Sequence, residues 1–483
     1  MDRENLVLKD CHVYSVRQGA YSRRDIYISQ GRILDTQPKN ARVVDLNGAY
    51  VHSGFVDAHA HLLGTGIKKG SIDLSEARTI ECLEHGLRHS APLLIARGWD
   101  DSKLSFTPNR AMLDRITDKP AILYRRCGHV AVINSAALER FSLKDLEGVD
   151  GSSLKTGLLR ERALNILSSK MSFTRSELQA FIDLGIQEFI SKGITTVHSD
   201  DMKSFNDEFL LDIFSAQRKL RIFEKVKTEK PDEISLFDLA KEKENHFFTV
   251  GALKVYLDGS LGARTAALLE PYDDDPMNCG MLYMDIEQLE DVVEMAENRS
   301  IQVCAHTIGD RSMDVALKGF ARIMPHNPLK HRLIHVQTAN RKQLRQMRKL
   351  DLRATIQPLF FFSDKGISLE RLGSERLQIA HPYRAIEEEG IRISLSSDSP
   401  VESISIFENL SASDKFFSRS NSIKYYTVEG KDLEGTPRYG EISPGCIADL
   451  TIVPLNLLEA EREALLSSEV IMTVVAGNVV FER

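Results

Sequence analysis

Two histidines separated by one residue, His59-Ala60-His61, are the first chemical feature of the chain. In an extended strand, residues two apart face the same side, so both imidazoles can reach one ion. Three further residue types of the same kind recur far along the chain: His306 in IQVCAHT, His335 in RLIH and Asp398 in SLSSDSPV. Imidazole and carboxylate donors without thiolate suit a divalent metal, with zinc expected and Mn²⁺, Fe²⁺ or Ni²⁺ served by the same donors. One or two ions are both compatible with that donor count. Lys254 sits inside the apolar run ALKVYL. Burial disfavours its ammonium form, and a neutral amine facing a metal could take up carbon dioxide as a carbamate that bridges two cations. The other reading is a plain ion pair with Asp258 or another carboxylate.

The elements that would position these residues follow from the hydrophobic pattern. Eight short apolar, β-rich runs occupy 54–59, 195–198, 221–226, 252–257, 301–305, 332–335, 353–356 and 391–395. Helical patterns such as SELQAFIDLGIQEFISKG and DIEQLEDVVEMAENRS separate most of them. That alternation predicts an α/β chain built on a (β/α)₈ TIM barrel, with a doubly wound sheet as the second choice. In such a barrel the chemistry gathers at the C-terminal ends of the strands. The first strand runs into His59 and His61, and the second ends at His198, followed by Ser199, Asp200 and Asp201. The fourth carries Lys254, the fifth runs into His306, the sixth ends at His335 and the eighth runs into Asp398. This convergence, rather than any one residue, is what points to a metal site.

Residues 65–175 interrupt the rhythm between the first two strands and contain strand-like runs of their own, PLLIARGW and PAILYRRC. A connection that long is read as an inserted subdomain, a lid over one barrel mouth. The two chain ends, 1–52 and 435–483, are both rich in short strands and turns, so they are expected to form one small β-domain, leaving 53–434 to the barrel and its insertion.

Composition excludes several classes. The 483 residues carry a net charge of −7, with 42% hydrophobic and 27% charged residues, an ordinary globular balance. No basic cluster marks a nucleic-acid partner, and no apolar run reaches the roughly 18 residues of a membrane span. The start, MDRENLVLKD, has no apolar segment of the secretory kind. The six cysteines are scattered without a CxxC pair, which argues against a disulfide framework or a thiolate zinc site. A cytoplasmic protein acting on a small molecule is the expectation, with a homo-oligomer left open.

Other residues could frame a substrate. His129 in GHVAVINS could polarise a carbonyl, or bond to Asn134 structurally. Asp258 and Arg264 fall just past the fourth strand; Arg264 could clamp a carboxylate, or pair with Asp258 or Glu270. Trp99 could stack on a ligand or pack beneath the insertion, and Asp57 would support the first strand.

Several blocks together resemble the amidohydrolase superfamily, in particular its YtcJ-like metal-dependent hydrolase branch. They are GFVDAHAHL (54–62), ARGWDD (96–101), RRCGHVAVINSAAL (125–138), LKVYLDGSLGARTAALLEPY (253–272), AHTIGDRSMDVAL (305–317), HRLIHVQ (331–337), SSDSPV (396–401) and GEISPGCIADLTIV (440–453). The resemblance implies that His59, His61, His306, His335 and Asp398 are metal ligands, with Asp398 also the base. It places Lys254 where relatives carry a carboxylated lysine, and it makes the terminal β-domain a sandwich. The chain departs from the pattern at Ile334, where a Glu is usual, at Ser53, where a proline is usual, and over 409–438. The expected chemistry is hydrolysis of a non-peptide carbon–nitrogen bond in an amide, cyclic amide or N-substituted formamide. Water activated by the metal would be the nucleophile, Asp398 the base, and His129 a partner of the oxyanion. Deamination of an aromatic amine, ester or lactone hydrolysis, and a non-catalytic regulatory barrel are the alternatives.

Overall fold

The computed structural model describes residues 5–88, 91–104, 106–126, 129–323, 326–435 and 440–483, the side chain of Glu161 excepted. Cys127 and Gly128 of the RRCGHVAV block lie outside the described residues. The chain separates into two compact units, Met1–Thr65 with Gly185–Arg483, and Gly66–Leu184.

Eight parallel strands in sequence order form a nearly closed barrel in the first unit. They are β1 (Phe55–Ala60), β2 (Ile194–Ser199), β3 (Arg221–Lys227), β4 (Phe248–Tyr256), β5 (Gln302–Thr307), β6 (Arg332–His335), β7 (Arg353–Ile356) and β8 (Ile393–Leu395). Each coincides with one of the eight apolar runs. Every residue of β1, β2, β6, β7 and β8 is buried. Strands covered on both faces need no polar alternation, which is why they read as continuous apolar runs.

The seam between β8 and β1 is joined just beyond the strand ends. The Asp398 N–H donates to the His59 carbonyl at 2.9 Å, and the His61 N–H donates to the Ser399 carbonyl at 2.7 Å. Asp57 braces the same seam: its carboxylate accepts from the Ser397 N–H at 3.0 Å and from the Ser397 hydroxyl. Burial pushes this carboxyl up to about 6, against the pull of the Ser397 bonds.

Charged groups are also buried along the barrel strands. Arg332 is fully buried, and its guanidinium donates to the Ala58 carbonyl at 3.2 Å and to His198 Nδ1 at 3.1 Å. Lys225, equally buried, donates to the His198 carbonyl. Left without acceptors, such groups would cost several kcal/mol each.

Both chain ends enter one eight-stranded mixed sheet. Tyr50–Ser53 pairs antiparallel with Leu450–Val453 on one side and parallel with Leu6–Ser15 on the other. A shared core of Leu6, Leu8, Ile26, Ile28, Leu450 and Val474 lies against it. The sheet curls until its far parts meet: Ala448 N–H donates to the Gly31 carbonyl at 3.0 Å. At Gly477, φ is +78° and a Cβ would lie 2.8 Å from Gly31 Cα, so only glycine fits.

The second unit holds a six-stranded sheet whose centre is Leu94–Trp99, Ala121–Arg125 and Val130–Ile133. The first two are the strand-like runs expected in the insertion. Residues 409–438, poorly matched to the family pattern, carry the end of the helix Ile406–Ser413 and the helices Arg419–Tyr425 and Val428–Asp432; 436–439 lie outside the described residues. Among the described residues, no helix is long and apolar enough to cross a membrane.

Candidate metal centre

The barrel strands bring His59, His61, Lys254, His335 and Asp398 to one place. Asp398 Oδ1 lies 3.2 Å from His59 Nε2 and 3.4 Å from His61 Nε2. Lys254 Nζ lies 3.4 Å from His59 Nε2. The His335 ring sits 5.4 Å from the His59 ring and 4.6 Å from the His306 ring, centroid to centroid. Two residues hold a backbone that side chains rarely adopt: φ is +76° at His335 and +56° at Asp398. Such strain costs about 1–3 kcal/mol and persists where surrounding contacts over-determine it. Here those contacts are the seam bonds at Asp398 and, at His335, the Gln357 side chain 2.9 Å from Nδ1.

The electrostatics favour ligand-ready imidazoles. Burial, with Lys254 adding its positive charge, holds His59 well below the ordinary histidine range and takes His306 down to about 3. His335 is likewise held low by burial and by His306. Neutral imidazole is the form that binds metal. At His61 burial also opposes charge, but Asp200 and Asp398 outweigh it and hold the imidazolium well above the usual range. A proton drawn this strongly between two carboxylates marks a position that suits a cation.

The donor set fits a divalent ion. Ligand atoms of His59, His335 and Asp398 all lie within 4.8 Å of one another, as do those of His59, His61 and Asp200. Asp398 Oδ1 and Asp200 Oδ1 are buried, with no aligned hydrogen-bond donor among the described residues, although imidazole nitrogens approach them to 3.2 and 2.9 Å. A buried carboxylate oxygen left unsatisfied is costly unless something cationic completes it.

Other site candidates fall elsewhere. His306 borders the cluster, but its Nε2 is directed at the Gly259 carbonyl, 3.1 Å away. Asp258 is fully buried and organises the loops after β4 and β5, accepting from the N–H groups of Ala267, Ile308 and Gly309 at 3.0, 3.1 and 2.7 Å. Burial outweighs those three bonds and pushes its carboxyl up to about 7. It holds backbone instead of presenting a face to a ligand. Arg264 spends its guanidinium on Asp274 at 2.5 Å, so neither Asp258 nor Glu270 is its partner. Trp99 is 1% exposed in the core of its own unit, with its indole N–H donated to the Leu123 carbonyl at 3.0 Å, which corrects the expectation of stacking on a ligand. His129 is exposed in the second unit.

Two participants were given no role from the sequence. Asp200, one residue beyond β2, sets its Oδ1 2.9 Å from His61 Nδ1, while the His198 ring within the strand turns to Arg332 and to Glu434 at 3.3 Å. Gln357, one residue beyond β7, orients His335 in the absence of the family glutamate. Ile334, at the position of that glutamate, packs with Phe223, Ala252 and Cys304. The strand-end rule that found the other residues finds both when applied to β2 and β7.

Residues 42–481 match the model of the Amidohydrolase family. The chain is 26% identical to YtcJ of Bacillus subtilis, covering 91% of this chain and 90% of that one. It is 22% identical to the N-substituted formamide deformylase of Arthrobacter pascens, covering 99% and 98%. The crystal structure of an uncharacterized metal-dependent hydrolase from Pyrococcus furiosus superposes with a TM-score of 0.83 at 26% identity, over 94% of this chain and 100% of that one.

Proposed function

From the premise that the chain belongs to the amidohydrolase family, we propose that it is a metal-dependent hydrolase of a non-peptide carbon–nitrogen bond, in an amide, a cyclic amide or an N-substituted formamide. The carrying observation is Asp398 Oδ1, set against the Nε2 atoms of both His59 and His61 at 3.2 and 3.4 Å. The formamide end of the range is favoured by the Arthrobacter relative, whose alignment spans nearly the whole chain.

His59, His61, His335 and Asp398 would hold the ion, with His306 beside them; zinc is the ion we assign. When bound, a divalent cation polarises a carbonyl and makes a neighbouring water acidic near pH 7. Asp398 then accepts a proton from the attacking water at a carboxylate oxygen and passes it to the departing nitrogen. Its strained backbone fixes that oxygen over the first strand. A small-molecule substrate and a cytoplasmic setting complete the reading, on composition alone.

A panel of N-substituted formamides, cyclic amides, N-acyl amines and simple esters, assayed with metal-loaded protein, tests this reading. Release of amine from at least one carbon–nitrogen substrate is expected. Turnover of esters alone, or of none of the panel, would contradict it.

A further inference from the structure

Three consecutive helices on the outside of the barrel, α1 (Ile286–Asn298), α2 (Asp310–Ile323) and α3 (Arg341–Lys349), carry opposite charges on neighbouring faces. The middle one, α2, packs against both of the others. In α1 the apolar residues Leu289, Val292, Val293 and Ala296 are buried, which turns Glu287, Asp291 and Glu294 outwards. Their spacing of four and three residues sets them in one exposed stripe, and none of them has an ion-pair partner among the described residues. In α3 the buried side is Gln343, Leu344 and Met347. Lys342, Gln346 and Lys349 repeat the four-and-three spacing and, with Lys318 of α2, line a groove of about 670 Å³. The three lysines are exposed and likewise have no acidic partner among the described residues, whereas Arg341 and Arg348 of α3 are spent on Glu388 and Asp351. Leu269, 50% exposed, borders the same groove.

We propose that this face is self-complementary: two copies of the chain associate about a twofold axis that runs along α2, each seating the acidic stripe of its α1 on the lysine groove of the other. A groove lined by lysines fits an acidic helical stripe, and α1 supplies one of matching spacing, with about 10 Å between the first and last charged residue on both helices. Symmetry then fixes the arrangement. A twofold axis parallel to α2 exchanges left and right across the contact, so each α1 meets the other copy's α3. An axis across the helices would lay α1 on α1 and α3 on α3, like charge on like. The chain carries a net charge of −7, so two copies repel in most orientations. Cations set beside anions on one face steer them into this one. Association also covers the exposed Leu269 side chain. All of these charges lie at the surface, so salt screens the attraction. The inference is independent of the hydrolase reading and uses no residue of the metal centre.

The test is sedimentation equilibrium of the full chain at about 0.01 M and about 1 M salt. The wild type is expected to be a dimer at low salt, with a dimer Kd at least about tenfold weaker at high salt. Two charge reversals separate the halves of the contact: one variant carries Lys318→Glu, Lys342→Glu and Lys349→Glu, the other Glu287→Lys, Asp291→Lys and Glu294→Lys. Each variant alone should be a monomer at low salt, because α1 and α3 then carry the same sign. Mixed in equal amounts, the two should form a dimer, because an all-acidic face meets an all-basic one. A wild type that is monomeric at low salt would overturn the proposal. So would a variant that dimerises alone as the wild type does, or a mixture that stays monomeric. If a triple variant does not fold, the single changes Lys342→Glu and Asp291→Lys, alone and mixed, decide in the same way.

Discussion

The Asp398 main chain donates to the His59 carbonyl at 2.9 Å, while its carboxylate returns to within 3.2 Å of the same residue's Nε2. One residue thus joins the last barrel strand to the first and faces the imidazole that both candidate ligand clusters share. Barrel closure and site assembly are therefore the same event, and the seam residues should affect both.

Asp398→Asn separates proton transfer from ion binding. The amide keeps an oxygen for the metal but accepts a proton poorly, so metal content should stay within about twofold while kcat falls by about 10²–10⁴-fold. Elemental analysis beside initial rates checks this. Undiminished kcat in a metal-loaded variant would remove Asp398 from its role as base.

Gln357→Leu should act through His335. Its side chain holds His335 Nδ1 at 2.9 Å, and loss of such an orienting contact commonly weakens metal binding by about 10–100-fold. A competition titration with a chromophoric chelator reads the affinity directly. Gln357→Glu, which keeps an acceptor, should recover part of the loss.

Ser397→Ala should destabilise the seam. Its hydroxyl donates to the buried Asp57 carboxylate, and a hydrogen bond to such a group contributes about 1.5–3 kcal/mol. Chemical denaturation of the metal-free protein should show a loss of that order. Ser397→Thr should lose less.

His52, in the β-domain, gives a pH dependence away from the metal. Burial lowers it from 6.5 to about 3, its Nε2 contacts the Tyr21 hydroxyl at 2.9 Å, and its Nδ1 has no partner among the described residues. The unfolded chain therefore takes up the proton first as pH falls. The stabilisation is complete above 6.5 and is lost progressively towards 3, by about 2 kcal/mol at about pH 5. His52→Gln should flatten the stability slope between pH 6.5 and 5. Parallel slopes in variant and wild type would show that His52 does not set it.

The barrel strands were legible because parallel strands buried on both faces are apolar without alternation, and His59 and His61 because a strand repeats every two residues. Asp200 was legible only as one of two adjacent carboxylates at a strand end: in Ser199-Asp200-Asp201 the direction of each side chain depends on where β2 ends, and Asp201 turns to the Leu63 N–H and the Ser199 hydroxyl instead. Arg332 and Lys225 inside strands look like surface residues until His198 and the strand carbonyls appear as their acceptors. The left-handed backbone of His335 has no signature in a histidine. Trp99 read as a candidate ligand contact because a lone tryptophan carries no mark of which core it fills.

Removal and return of the metal test the central claim most directly. Chelated protein should hydrolyse no carbon–nitrogen substrate that the loaded protein cleaves, and added Zn²⁺ or Mn²⁺ should restore the rate in proportion to the metal bound at His59, His61, His335 and Asp398. Full turnover by protein shown to be metal-free would contradict it.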